Sequence, residues 1–197
     1  MTGHIHTTAE TPREWLGSAR GRTVQSHARA LHTSAPVTDD QLTHTDAEGK
    51  ATMVDISAKA PSRRTAVALG SVVVGSHVLE LIRTNQVKKG DVLTVAQLAG
   101  IMGAKHTASL IPLCHPLPLS HVSVDLTLDE AAGAVNIEAS ASTTYGTGVE
   151  MEALMAVTVA ALTIYDMCKA ASREMVITGV RLQSKTGGVR GDYTRLG

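Results

Sequence analysis

His121-Val-Ser-Val-Asp-Leu-Thr-Leu128 and Ala134-Val-Asn-Ile-Glu-Ala-Ser-Ala141 decide the fold. Both stretches alternate apolar and polar residues strictly, the period-2 signature of a strand with one wet face. A short acidic turn containing Gly133 joins them, which predicts a hairpin. Downstream, Thr147 to Ala171 reads as a long helix whose apolar run, Ala153 to Tyr165, is closed off by Glu152 and Asp166. That run is well under the roughly 20 residues needed to cross a bilayer, so it predicts a buried helix. Met175 to Ser184 reads as a last strand. Upstream, Arg64 to Val74 is β-branched and Ala-rich and predicts a first strand ending at Gly75. Ser76 to Asn85 places Val78, Leu81 and Ile82 at helical spacing. A further helix opens with Asp91 as N-cap and runs to about Leu110, where Pro112, Pro116 and Pro118 stop it.

Strand, helices, two strands, helix, strand is the split βαβ order. The expected class is α+β: a ferredoxin-like sandwich with an antiparallel sheet and helices packed on one face. That fold hosts unrelated activities, so function has to be argued from the site.

A length of 197 residues suits one domain. Eighteen basic and eighteen acidic residues cancel, so no whole-protein field favours duplex nucleic acid or an anionic membrane. Aromatics make up 2 % of the chain, with no Phe, which nearly excludes base-stacking platforms for single strands. Two cysteines, Cys114 and Cys168, cannot build a disulfide framework, and a reducing compartment fits. The chain divides near residue 40. Residues 1–40 read as a disordered extension, with Arg but no Lys, many Ser, Thr and Ala, and almost no hydrophobic periodicity. This is also the make-up of a mitochondrial transit peptide, and Arg29-Ala-Leu-His-Thr-Ser-Ala-Pro36 resembles its processed end. Glu10 and Glu14 speak against the required helix, and an untargeted tail on a cytoplasmic protein is the alternative. Residues 41–197 form the folded domain.

Chemistry has four candidate locations. In Asp166-Met-Cys-Lys169 the i, i+3 spacing sets a carboxylate beside an ammonium, which can tune that lysine, exchange protons with it, or form only a surface ion pair. In Gly148-Val-Glu150-Met-Glu152, Thr147 and Glu150 match a capping box, whereas Glu152 has no such structural reason. Glu152 and Asp166 fall on nearly one helix face but roughly 21 Å apart along the axis. One small substrate reaches both only if a second copy brings its helix across, so the expected site lies at a homo-oligomer interface. Ile111-Pro-Leu-Cys-His115-Pro presents one histidine on a rigid turn, and no zinc spacing accompanies it, so no metal is expected. Last, Lys88-Lys89-Gly90-Asp91 and Lys185-Thr-Gly-Gly188 with Arg190 set cations beside permissive backbone, a common way to hold phosphates. Neither a P-loop nor a dinucleotide fingerprint occurs.

The combination says more than the parts. Leu42-Thr-His44, Met53-Val-Asp-Ile-Ser-Ala-Lys59, Lys89-Gly-Asp-Val92, Ala99-Gly-Ile101, Ile111-Pro-Leu-Cys-His-Pro116, Thr147-Gly-Val-Glu-Met-Glu-Ala-Leu154, Leu162-Thr-Ile-Tyr-Asp-Met-Cys-Lys-Ala170 and Lys185-Thr-Gly-Gly188 occur in this order. The sequence from about 41 to 193 thereby resembles the cyclic pyranopterin monophosphate synthase family of molybdenum cofactor biosynthesis. The resemblance implies conversion of (8S)-3′,8-cyclo-7,8-dihydroguanosine 5′-triphosphate to cyclic pyranopterin monophosphate with release of diphosphate and no redox cofactor. It also implies a hexamer, as a trimer of dimers, with sites at dimer interfaces. On this likeness Asp166 and Lys169 are the catalytic pair, joined by Lys89 and His115. Asp55, Lys59, Arg64, Glu150, Met151, Glu152 and Lys185 bind substrate. Lys169 is then the expected general acid–base, while Lys89, Lys185 and Arg64 hold the triphosphate. Glu150 and Glu152 meet the amino and amide edge of the base, and His115 orients a hydroxyl or shuttles a proton.

The chain departs from the family pattern at Met155, in place of the usual Thr, and at Tyr145-Gly-Thr-Gly148, which lacks the usual basic residue. It also has Gly-Gly-Val-Arg-Gly191 in place of Gly-Gly-Lys-Ser-Gly, where Arg190 can stand in for the lysine. A regulatory nucleotide-binding module, a structural oligomer and another triphosphate cyclase are the competing readings. The first has no need of the Asp166–Lys169 pair, and the second has no need of convergent cations.

Overall fold

The computed structural model describes residues 49–196, and the expected extension over 1–40 lies outside the described residues. The elements are β1 (Ser62–Val73), α1 (Ser76–Arg83), α2 (Val92–Lys105), α3 (Thr107–Leu110), β2 (Leu119–Asp129), β3 (Ala134–Tyr145), α4 (Glu150–Cys168), β4 (Val176–Thr186) and β5 (Tyr193–Thr194). The sheet order is β2-β3-β1-β4-β5, and every neighbouring pair is antiparallel. Because β3 sits between β2 and β1, and β1 between β3 and β4, each helical connection skips one strand. This is the split βαβ arrangement that the sequence predicts.

Alternation in the sequence becomes burial in the sheet. Ala66, Ala68 and Val72 of β1 and Val135, Ile137, Ala139 and Ala141 of β3 are buried, while Asn136 and Glu138 between them are exposed. α4 covers the buried face, and its Ala153, Ala156, Val157, Ala160, Ala161 and Ile164 are fully enclosed. By length and composition α4 could cross a membrane, but that apolar face is occupied by the sheet and α2. α2 approaches α4 closely because Gly100 and Gly103 face it. A Cβ on Gly100 would lie 2.8 Å from the Ala156 carbonyl, and one on Gly103 2.7 Å from Val159 Cγ2.

Three local expectations are adjusted. The helix opening at Asp91, which caps by accepting from the Thr94 N–H at 3.1 Å, breaks at His106 rather than running unbroken to Leu110. Beyond the break, the buried Thr107 hydroxyl donates to the Ala104 carbonyl at 2.9 Å. The last helix begins at Glu150 with Val149 as N-cap and no side-chain cap, so the Thr147–Glu150 capping box does not form. Beyond β4 a short β5 pairs Ser184 with Thr194 and Lys185 with Tyr193, an element with no period to announce it.

Candidate active site

Side chains from distant parts of the sequence surround a cavity of about 400 Å³ at the N-terminal end of α4. β1 supplies Arg64, the end of β4 supplies Lys185, the loop after it supplies Arg190, and the coil before β1 supplies Lys59. To the same lining the first turn of α4 contributes Glu150, Met151 and Glu152, and the proline-rich turn contributes Cys114 and His115. The volume is that of a small-molecule site.

The charges are arranged unevenly. Lys185 Nζ lies 3.0 Å from Glu150 Oε1, in a partly buried ion pair in the cavity lining. Freed from capping, Glu150 is thus held by a cation on the neighbouring strand. Glu152, two residues later, is only 4 % exposed, and among the described residues no ion pair reaches it. Burial pushes its pKa up to about 7, and the neighbouring Glu150 charge adds to the shift. Burial likewise raises the Cys114 thiol, with a further contribution from Glu152. Arg64 Nε is buried without a hydrogen-bond partner, an unsatisfied donor in a cation-rich wall. Gly188 makes room for that guanidinium: it has φ +95°, and a Cβ there would collide with Arg64 Nη1. Cations, an orphan guanidinium donor and glycine backbone converge as an anion-binding wall requires.

A second cluster sits at the opposite end of α4. Asp166 accepts from Lys169 Nζ through Oδ1 at 2.6 Å and from Lys89 Nζ through Oδ2 at 2.7 Å. Lys89 also donates to the Asp166 carbonyl at 2.9 Å, near the negative end of the helix. The two ammonium groups, Lys169 first, hold the Asp166 carboxyl down to about 2. All three side chains are about half exposed. Exposed ion pairs add little to stability, so stabilisation alone does not explain two lysines sharing one carboxylate.

The structure therefore brings Lys59, Arg64, His115, Glu150, Met151, Glu152 and Lys185 to one cavity and gathers Lys89, Asp166 and Lys169 elsewhere in the same chain. Asp55 is exposed and off the cavity wall, although its neighbours Val54 and Ile56 line it. Its carboxylate accepts the Ser57 N–H at 2.8 Å, which holds it below the usual carboxylate range. Sequence reasoning missed Cys114 as a wall residue, although its position between Pro112 and Pro116 was a usable signal. It also missed the Val54 carbonyl, which meets His115 Nε2 at 2.8 Å and has no side-chain signal at all. Among the described residues no group of three or more His, Cys, Asp or Glu is placed to hold a metal ion.

A small-molecule-sized cavity lined by both cations and acids, on a sheet of ferredoxin-like order, defines an α+β protein with a polar pocket at one end of its long helix. Over residues 53–188 the chain matches the MoaC family model, and it belongs to the MoaC family. It is 53 % identical over 174 residues to a protein of Arabidopsis thaliana named cyclic pyranopterin monophosphate synthase, mitochondrial, covering 87 % of this chain and 64 % of that one. Molybdenum cofactor biosynthesis protein 1 of Homo sapiens is 52 % identical over 170 residues, covering 86 % of this chain but 27 % of its own length. Cyclic pyranopterin monophosphate synthase of Heliobacterium modesticaldum is 56 % identical over 156 residues, covering 79 % of this chain and 98 % of the bacterial one. The chain thus spans just under two thirds of the plant relative and about a quarter of the human one.

Proposed function

We propose that this chain is a cyclic pyranopterin monophosphate synthase. It converts (8S)-3′,8-cyclo-7,8-dihydroguanosine 5′-triphosphate to cyclic pyranopterin monophosphate, with release of diphosphate, in molybdenum cofactor biosynthesis. One observation carries the reading: a single cavity is lined by Arg64 and Lys185 together with Glu150 and Glu152. A guanine-derived triphosphate demands that polarity, with cations for the phosphates and carboxyl groups for the amino and amide edge of the base.

The reaction opens a guanine-derived ring with water, closes the pterin and pyran rings, and turns a ribose oxygen onto the α-phosphorus as diphosphate leaves. Lys169 is the general acid–base for the ring steps, and Asp166 holds its ammonium in place. Arg64, Lys185 and Lys89 neutralise the charge that builds on the departing diphosphate. Lys59 and Asp55 bind at the rim. The Lys169 cluster and the cavity lie at opposite ends of α4, a helix running from Glu150 to Cys168. The working centre is therefore composite: one copy supplies the cavity and a second supplies Asp166, Lys169 and Lys89, in a hexamer assembled as a trimer of dimers. Residues 1–40 act as a mitochondrial presequence, a reading supported by their composition and by the name of the plant relative.

Incubation of purified protein with the cyclised guanosine triphosphate tests the reading. Stoichiometric diphosphate and the tricyclic pterin are expected. Diphosphate without the pterin would move the chain to another triphosphate cyclase, and neither product would remove the enzymatic reading.

A further inference from the structure

The coil before β1 carries Asp55 and Lys59 without help from any helix, and its own turns are small. The Ser57 N–H donates to Asp55 Oδ1 at 2.8 Å, and the Lys59 N–H donates to the Ile56 carbonyl at 3.0 Å. Gly146 lies against this turn, where an added Cβ would meet the Ile56 carbonyl at 3.4 Å and Lys59 Cβ at 3.5 Å. A long-range polar bond ties the coil to the proline-rich turn, between His115 Nε2 and the Val54 carbonyl at 2.8 Å. Both sides of that bond line the cavity: Val54, Ile56 and Lys59 on one, Leu113, Cys114 and His115 on the other.

A carbonyl oxygen can only accept, so the bond places a proton on His115 Nε2. Pro112 and Pro116 restrict the backbone on either side of the histidine. We propose that His115 is a positioning residue: through Val54 it fastens the 51–60 coil to the cavity rim and so sets where Lys59 meets the substrate. This narrows the role expected from the sequence, where His115 orients a hydroxyl or carries a proton. A general acid must release its proton to the substrate, whereas this Nε2–H is already committed to the backbone. Only the kinetic part of the proposal rests on the proposed reaction; the tie itself is a property of the ligand-free chain.

The test compares His115→Ala with His115→Gln, whose amide places an N–H donor at similar reach. Hydrogen exchange of the ligand-free proteins reads the Ser57 and Lys59 amides, and steady-state kinetics separates KM from kcat. His115→Ala is expected to speed exchange of both amides at least about tenfold and raise KM about tenfold, leaving kcat within about threefold. His115→Gln is expected to restore both values. Unchanged exchange in His115→Ala, or no rescue by Gln, overturns the tie. A fall in kcat of more than about a hundredfold at constant KM overturns the positioning role in favour of proton transfer. Nitrogen NMR of the wild-type ring keeps the proposal decidable should a variant not fold, since a proton on Nδ1 rather than Nε2 refutes it. If wild-type protein does not turn over the triphosphate, exchange and NMR still decide the tie, and only the proposed reaction falls.

Discussion

Glu150 and Lys185 face each other at 3.0 Å between the first turn of α4 and the end of β4, while Glu152, on the same turn of helix, is buried and has no ion pair among the described residues. Two carboxyl groups in one cavity thereby receive opposite treatment. Glu150 is held by a positive charge, and Glu152 is set up to keep its proton to near neutrality.

Glu152 gives stability a pH slope. Its native pKa of about 7 lies above the ordinary value of 4.5, so between these values the unfolded chain has lost a proton that the folded one retains. Stability is therefore full below the ordinary value and falls as pH rises toward neutrality. Glu152→Gln, isosteric with the neutral acid, is expected to flatten that decline and to gain on the order of 1–3 kcal/mol at pH 8. Urea denaturation of both proteins at pH 5 and pH 8 measures it. An identical slope in the variant would show that Glu152 is ionised throughout.

Asp166 should behave in the opposite way. Its pKa is held at about 2, so the carboxylate is charged throughout the neutral range, and what its pairs contribute is lost only as pH falls from the ordinary value toward 2. The group is half exposed, so Asp166→Asn is expected to leave the melting temperature within about 2 °C of wild type. Turnover should still fall about a hundredfold or more, because two ammonium groups lose the acceptor that places them. A large fall in melting temperature would make the cluster structural.

Lys169→Ala is expected to abolish product formation with an unchanged circular dichroism spectrum. Normal turnover by this variant would remove Lys169 from the mechanism.

Gly188→Ala tests the anion wall. Its Cβ would strike Arg64 Nη1, and the positive φ penalises any side chain, so stability should drop by about 1 kcal/mol. Displacement of the guanidinium should raise KM about tenfold while kcat stays within a factor of about three. Isothermal titration with a phosphate-bearing ligand and steady-state kinetics would show it, and an unaltered KM would place Arg64 outside the binding wall.

Subunit mixing tests the composite site. Arg64→Ala damages the cavity and Lys169→Ala the opposite cluster, so each homo-oligomer should be inactive. Co-assembly at equal amounts should return about a quarter of wild-type activity, since half the pairs are mixed and each mixed pair keeps one intact site. No recovery, with mixed assemblies verified by mass spectrometry, would argue that each chain works alone.

Much of the fold was legible because its signals are local. The alternation at 121–128 and 134–141 can satisfy only a half-buried strand pair, and Asp91 before an apolar helix caps it as its chemistry suggests. The capping box at Thr147 was legible and wrong, since Glu150 is drawn to Lys185 from another strand, a competition no short window contains. His115 was legible as a rigidly presented ring, but its partner is a backbone carbonyl distant in sequence.

By itself the sequence determined the order of the four long strands and the helices between them, the wet face of the β2–β3 hairpin, and the distance along α4 between Glu152 and Asp166. Those follow from period and rise, which each segment carries internally. Tertiary structure alone decided which of the cavity's two acids meets a cation, that Arg64 Nε is left unsatisfied, and that His115 Nε2 meets the Val54 carbonyl. Charge and hydrogen bonding act over a few ångströms, and only the folded sheet brings residues from remote parts of the chain within that range.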